Sequence, residues 1–323
     1  MRWSAVILAA GQGTRLRSRI PKVLHELAGR PLIQHVLETA TAAVPAERIC
    51  VVVGHGREAV AAHLEPAGVR LAVQEPQRGT GEALAIGLAG LEPAPSGGVL
   101  VLSGDVPLVR PATLRALREP VEAGAAAAVL TARLPEPGSY GRVIRGADGA
   151  VDRIVEARDA SPEELAVTEV NAGLYGFRRA GLAGLLAGLR PENSQGEYYL
   201  TDVVAALRGA GERVAAVPLA DPEEMLGVNT RADLARVAAA LNRRVLQELM
   251  ASGVTVVDPA STWVEPGCLV GRDTVLEPGV VLRRGARIGR DARIGAHSVI
   301  EALTVPDGAS VPPLSYLAPA GGS

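Results

Sequence analysis

The sequence predicts a chain in two parts: an α/β domain on a mostly parallel sheet, followed by a short parallel β-helix. Three observations carry this expectation. From Ser4 to about Asn229, short continuous runs of Val, Ile and Leu alternate with helix-length stretches, the pattern of a parallel sheet covered on both faces. From Val264 to Ile300 an aliphatic residue returns at every sixth position without a break: Val264, Val270, Leu276, Leu282, Ile288, Ile294 and Ile300. Neither helical nor ordinary strand periodicity produces six, whereas a coil with one hexad per face does. Between the two, residues 231–253 put Leu234, Val237, Leu241, Val245 and Leu249 on one stripe and read as a single linking helix. The expected boundaries are 1–230 for the α/β domain, 231–253 for the linker helix and 254–312 for the β-helix. The tail 313–323 lacks the hexad and reads as mobile.

In the first domain the candidate strands are residues 4–10, 48–54, 69–74, 98–105 and 126–134. The candidate helices are 31–43, 80–91 and 111–124. The opening "MRWSAVILAAG" faintly suggests a secretory signal. Its apolar part is short and runs into "GQGTR" without a polar spacer, so a buried first strand is expected instead. In the coil, a smaller side chain follows each aliphatic by four residues: Cys268, Thr274, Val280, Ala286, Ala292, Ser298 and Thr304.

Composition excludes several classes. At 323 residues and 48% hydrophobic content the chain can bury a large core, but it has only one Phe, two Trp and five Tyr. Few aromatics for stacking bases and a formal charge of −2 argue against nucleic acid. Cys50 and Cys268 are too far apart in sequence to suggest a disulfide framework or metal knuckle, and no run approaches the ~18 apolar residues of a spanning helix. A soluble, cytoplasmic protein without a membrane partner is expected.

Of the 33 basic side chains, 32 are arginine; Lys22 is the only lysine. It stands shortly after "AAGQGTRL". That loop is not a Walker loop, and Leu16 stands where a dinucleotide fingerprint has its third glycine. A strand ending in Gly11, Gly13 and Thr14 can still turn backbone N–H groups toward an anion. Arg15 would add a planar fork and Lys22 a compact point charge able to follow a single phosphate oxygen.

The stretch "LAAGQGTRLRSRIPKVLHELAGRPLIQHV" resembles the opening of the sugar-1-phosphate nucleotidylyltransferases. In detail it is similar to the bacterial bifunctional family that joins an N-acetylglucosamine-1-phosphate uridylyltransferase to a β-helical glucosamine-1-phosphate acetyltransferase. The likeness continues in order through "QEPQRGTGEA", "SGDVPL", "SYGRVIR", "IVEARDA", "EVNAGLYGF", "NSQGEYYLTDVV" and "GVNTRADL". It implies a Rossmann-like nucleotidyltransferase domain, a left-handed hexapeptide coil, Mg²⁺ as cofactor, and UTP and N-acetylglucosamine-1-phosphate as substrates. It also implies trimerisation through the coil.

Residue by residue, the resemblance places Leu8, Ala9, Ala10, Gly11, Gly13 and Thr14 around the nucleotide, with Arg15 and Lys22 on the triphosphate. Gln74 would face the uracil edge, helped by Gly79 and Thr80. Asp105 and Asn229 would hold the metal, the sparse oxygen set that magnesium favours. Ser103, Gly141, Glu156, Asn171, Tyr199 and Thr201 would lie toward the sugar. Taken alone, Asp105 also fits a turn or helix cap, and Glu156 a solvated strand end. Asn171 is unusual in a strand-like run. His25 and His35 fit packing, and His55 and His63 have no partners at metal spacing.

The implied product is UDP-N-acetylglucosamine, a peptidoglycan precursor. The sequence ends after about eight hexads, has no second lysine, and carries His297 alone in the coil, so no acetyltransferase activity is expected. Three alternatives remain: a relative using another nucleotide or sugar, a non-catalytic regulatory relative, and a hexapeptide acyltransferase with an accessory domain.

Overall fold

The computed structural model describes residues 1–93 and 97–319. It divides into two compact units: one of Met1–His25 and Pro31–Arg231, the other of Glu26–Arg30 and the residues from Ala232 on. The small hairpin at Glu26–Arg30 thus goes with the second unit and not with its sequence neighbours. Within that unit the Arg30 guanidinium donates to the Pro266 carbonyl at 3.3 Å.

The first unit is built on a nine-stranded sheet. Its main path runs Val214–Pro218, Ala127–Arg133, Glu169–Arg178, Gly98–Ser103, Trp3–Ala9, Ile49–Val53 and Arg70–Val73. Trp3–Ala9 pairs in parallel with both neighbours. Its side chains alternate between two cores, Ala5, Ile7 and Ala9 into one and Val6 into the other, as a strand covered on both faces requires. The expected strands and helices appear, with Leu32–Thr41, Thr80–Ala89 and Pro111–Glu122 as helices. Glu169–Arg178 departs from the parallel pattern, because it inserts antiparallel between Gly98–Ser103 and Ala127–Arg133. The hairpin Arg142–Arg145/Val151–Val155 hangs from its start.

In the second unit the helix Arg231–Ala251 leads into a parallel β-helix with three faces of stacked two- and three-residue strands. The inward aliphatics are those of the hexad, and Leu276, Leu282, Ile294 and Ile300 are fully buried. The helix stripe is slightly rotated from expectation: Leu246, not Val245, is the buried member, together with Val237 and Leu241. Asn242 ties helix to coil, donating to the Thr262 carbonyl at 2.8 Å and accepting from the Val264 N–H at 2.9 Å.

The coil also runs further than the hexad suggested. Leu282 stacks on Ile300, eighteen residues on, but Ile288 stacks on Val305, Ile294 on Val311 and Ile300 on Leu317, each seventeen on. One corner, where Ala302 adopts φ 48°, is a residue shorter, and every later position moves by one. Thr304 therefore faces out, and Leu303 takes the inward place that the small residues Thr274, Val280, Ala286, Ala292 and Ser298 hold in the earlier turns. Residues 313–317 belong to the coil and not to a tail; of the predicted tail, 320–323 lie outside the described residues. Cys50 and Cys268 are buried free thiols. No described helix is long and apolar enough to cross a membrane.

Candidate active site

Ligands on parallel sheets bind beyond the carboxyl ends of the strands. At that edge of the first unit a cleft of about 520 Å³ is lined by Leu8, Ala9, Ala10, Gly11, Lys22, Gln74, Gly79, Thr80, Ser103 and Asp105. Three parallel strands supply this lining: Trp3–Ala9 leads into Ala10 and Gly11, Gly98–Ser103 into Asp105, and Arg70–Val73 into Gln74. The backbone then brings in a distant segment, because the Val228 N–H donates to the Asp105 carbonyl at 2.9 Å and sets Asn229 beside Asp105.

The lone lysine points into this cleft. Its ammonium forms an ion pair with Asp105 Oδ2 and donates to Asn229 Oδ1 at 2.7 Å. Gly13 makes the room: at φ 63° it is in the left-handed region, and a Cβ there would stand 2.6 Å from Lys22 Cβ. The glycine loop thus shapes the seat of the lysine. A Cβ on Gly11, by contrast, would meet nothing within 4 Å.

Gln74 is buried and fixed in orientation. Its amide donates to the Gly79 carbonyl at 2.9 Å and to Glu82 Oε2 at 3.0 Å, leaving the carbonyl oxygen as the group able to accept from a base. Gly79 has φ 115°, and a Cβ there would lie 2.6 Å from the Tyr198 carbonyl oxygen and 2.7 Å from its nitrogen. Gly79→Ala is expected to destabilise the protein by at least ~1–3 kcal/mol, from strain and backbone collision together. Urea denaturation checks this; an unchanged midpoint would contradict it.

A second group of predicted residues gathers outside the lining of this cleft. The Asn171 N–H donates to the Gly141 carbonyl at 2.9 Å, a Cβ on Gly141 would stand 3.5 Å from the Glu156 carboxylate oxygens, and the Thr201 hydroxyl donates to Glu156 at 3.2 Å. Asn171 has a local duty: it accepts from the Gly173 N–H at 3.0 Å and donates to the Tyr175 hydroxyl at 2.7 Å, across the register shift between 171 and 175. That bulge explains an asparagine in a strand. Tyr199 accepts from the Gln195 amide at 2.7 Å and donates to Asp159 at 3.2 Å. The same segment carries Glu197 into the cleft lining, so residues 193–201 connect the two groups.

Glu156 is not a solvated strand end. Burial pushes its carboxyl above the ordinary range, and the negative charges of Asp159 and Asp202 add to this, against the Thr201 hydrogen bond. A raised folded-state value means that Glu156 costs stability progressively as pH rises from the unfolded carboxyl's value to the higher folded one, costs its full amount above that, and costs nothing where the acid is protonated in both states. Glu156→Gln is therefore expected to raise the melting temperature at pH 7, on the order of a few degrees, and to lose that gain near pH 4. Melting curves at the two pH values test this.

Two placements differ from expectation. Arg15 is exposed on the short helix Thr14–Leu16, between Gly13 and Arg17, both left-handed, and none of Gly13, Thr14 and Arg15 lines the cleft. Gln12, Gln77 and Glu197 do line it and were not singled out. Gln12 donates to Gln77 at 3.3 Å. Of the histidines, His25 and His35 are buried in packing and His297 is exposed at a coil corner. No cluster of three His, Cys, Asp or Glu suited to a metal occurs among the described residues.

Fold and cleft together define a nucleotidyltransferase joined to a hexapeptide coil. Residues 5–174 match the MobA-like NTP transferase domain and residues 267–302 match six repeats of the bacterial transferase hexapeptide. The first match covers more than half of the chain, and the chain belongs to the MobA-like NTP transferase family. Its relatives include the bifunctional protein GlmU of Thermobifida fusca, 48% identical over 286 residues, which are 87% of this chain and 59% of that protein. GlmU of Pelotomaculum thermopropionicum is 49% identical over 281 residues, 85% of this chain and 60% of that one. GlmU of Geobacter metallireducens is 48% identical over 281 residues, 86% and 59%. The chain spans about three-fifths of the length of these relatives.

Proposed function

We propose that this chain joins UTP and N-acetylglucosamine-1-phosphate, releasing pyrophosphate and UDP-N-acetylglucosamine, with Mg²⁺ as cofactor. The observation that carries this reading is the cleft at the strand ends where the only lysine of the chain bridges one carboxylate and one amide oxygen. That bridge is also the test of fit for a metal. Asp105 Oδ2 and Asn229 Oδ1 converge on one cation position, and both are hard oxygen donors of the kind magnesium takes, with waters and phosphates completing its shell. When bound there, the metal would neutralise charge on the phosphate oxygens.

The protein's own groups do the rest. A phosphate oxygen of the sugar-1-phosphate attacks the α-phosphorus of UTP, a new P–O bond forms, and the bond from that phosphorus to the bridging oxygen of pyrophosphate breaks. Such an in-line displacement needs positioning and charge neutralisation, not a covalent nucleophile. The backbone of Ala10 and Gly11 cradles the phosphates, and the Gln74 carbonyl oxygen accepts from the uracil N3–H. Lys22 takes up charge on the departing pyrophosphate. Arg15, exposed on the same glycine turn, is the second cation of this reading. Ser103 and the group of Gly141, Glu156, Asn171, Tyr199 and Thr201 belong to the sugar side.

The coil, in this reading, is structural and carries no acetyl transfer, and it assembles three copies; exposed Leu269 and Tyr316 on its outer faces support an assembly role. The protein works in the cytoplasm. The test is pyrophosphate release with Mg²⁺, one sugar-1-phosphate and each nucleoside triphosphate in turn. Release with UTP and N-acetylglucosamine-1-phosphate is expected. Faster release with another pair would move the assignment to that pair, and no release with any would leave a regulatory relative. Free CoA formed from acetyl-CoA and glucosamine-1-phosphate would overturn the structural role of the coil.

A further inference from the structure

We infer that Lys22 is a resident counter-ion: it keeps free divalent metal off Asp105 and Asn229 until a nucleotide arrives, and then passes to the phosphates. The inference rests on the reading of Asp105 and Asn229 as the metal-holding pair, and concerns the order in which that site fills.

The ammonium already satisfies both oxygens, by an ion pair to Asp105 and a 2.7 Å hydrogen bond to Asn229. Its side chain is only 12% exposed and that of Asp105 21%, so water screens the pair poorly. The base of the stem is fixed, because a Cβ on Gly13 would stand 2.6 Å from Lys22 Cβ and the Leu24 and His25 N–H groups close a tight turn on the Pro21 and Lys22 carbonyls, so the ammonium moves only by rotation of the outer stem. A dication entering alone would have to break both contacts and then sit beside an unbalanced like charge. A nucleoside triphosphate removes this conflict, since its oxygens offer the ammonium a new partner and the metal further ligands. Metal and nucleotide then bind with positive coupling, which linkage makes reciprocal. An ammonium suits the exchange because it holds one oxygen at a time; a guanidinium would grip the carboxylate in a two-pronged pair.

The experiment measures Mn²⁺ binding by electron paramagnetic resonance to the wild type and to Lys22→Met, with and without UTP. Without UTP, Lys22→Met is expected to bind Mn²⁺ at least ~10-fold more tightly than the wild type. UTP should tighten Mn²⁺ binding by the wild type much more than by the variant. Equal Mn²⁺ affinities without UTP would overturn the inference. A second readout needs no variant: because Lys22 is the only lysine, a sample labelled with ¹⁵Nζ-lysine gives one side-chain resonance. That resonance should stay in place with Mg²⁺ alone and move with Mg²⁺ and UTP; movement with Mg²⁺ alone at the same concentration would overturn the inference. Asp105→Asn separates the two levels. If it leaves Mn²⁺ binding in the presence of UTP unchanged, the metal assignment itself falls, whatever Lys22 does.

Discussion

Lys22→Ala is expected to lower kcat by at least ~10²-fold, about 2.7 kcal/mol of transition-state stabilisation, the scale of losing one charged contact to a reacting centre. Negative charge gathers on the departing pyrophosphate, and the lysine is the one ammonium within the cleft lining. Because that contact strengthens as the bond breaks, the loss should fall on kcat more than on KM. Lys22→Arg should recover little, since the longer planar fork has to fit where Gly13 leaves room for a lysine stem and would pair with Asp105 through two bonds. Steady-state kinetics with saturating Mg²⁺ and UTP decide this. Turnover near wild type in the alanine variant would remove Lys22 from the chemistry.

The second large effect is expected at Asp105. Asp105→Ala deletes the only carboxylate of the pair that meets the ammonium, so both cations of the proposed reaction lose their anchor at once. A fall in kcat of ~10²-fold or more is expected, and raising Mg²⁺ should not restore it, because the missing group is a ligand and not the ion. A titration of rate against Mg²⁺ provides the test. Recovery to wild-type turnover at high Mg²⁺ would show that the carboxylate only raises metal affinity.

Both effects concern residues that were visible in the sequence, and the reason is physical. Continuous Val, Ile and Leu runs mark the central strands Trp3–Ala9 and Gly98–Ser103, and Gly11 and Asp105 follow their carboxyl ends, where a parallel sheet puts its ligand; Gln74 follows the edge strand Arg70–Val73 at the same end. A single lysine among arginines drew attention to a position where, in the proposed reaction, the kind of cation matters. What stayed hidden depends on pairing across long stretches. Nothing in the local pattern of Glu169–Arg178 says that it runs antiparallel, since that direction is set by its two neighbours. Gln12 and Gln77 meet over 65 positions of sequence, and Glu197 reaches the cleft only because its loop is bonded to Arg78 and Gly81. Arg15 shows a different limit: its motif was legible, but the sequence did not say that it would stand exposed between two left-handed residues and outside the cleft lining. Glu156, bland by itself, acquires its character from burial and from Asp159 and Asp202.

The shortened corner at Ala302 has a practical meaning. Strands above it keep their partners although the count between them drops from eighteen to seventeen, so the stack obeys the order of its inner side chains and not the spacing along the chain. Bends of this kind can accept grafted epitopes or reporter loops, and here exposed Ala302 is the point of entry, because an insertion has to leave the buried, ion-paired Glu301 and the inward Leu303 on either side of it in place.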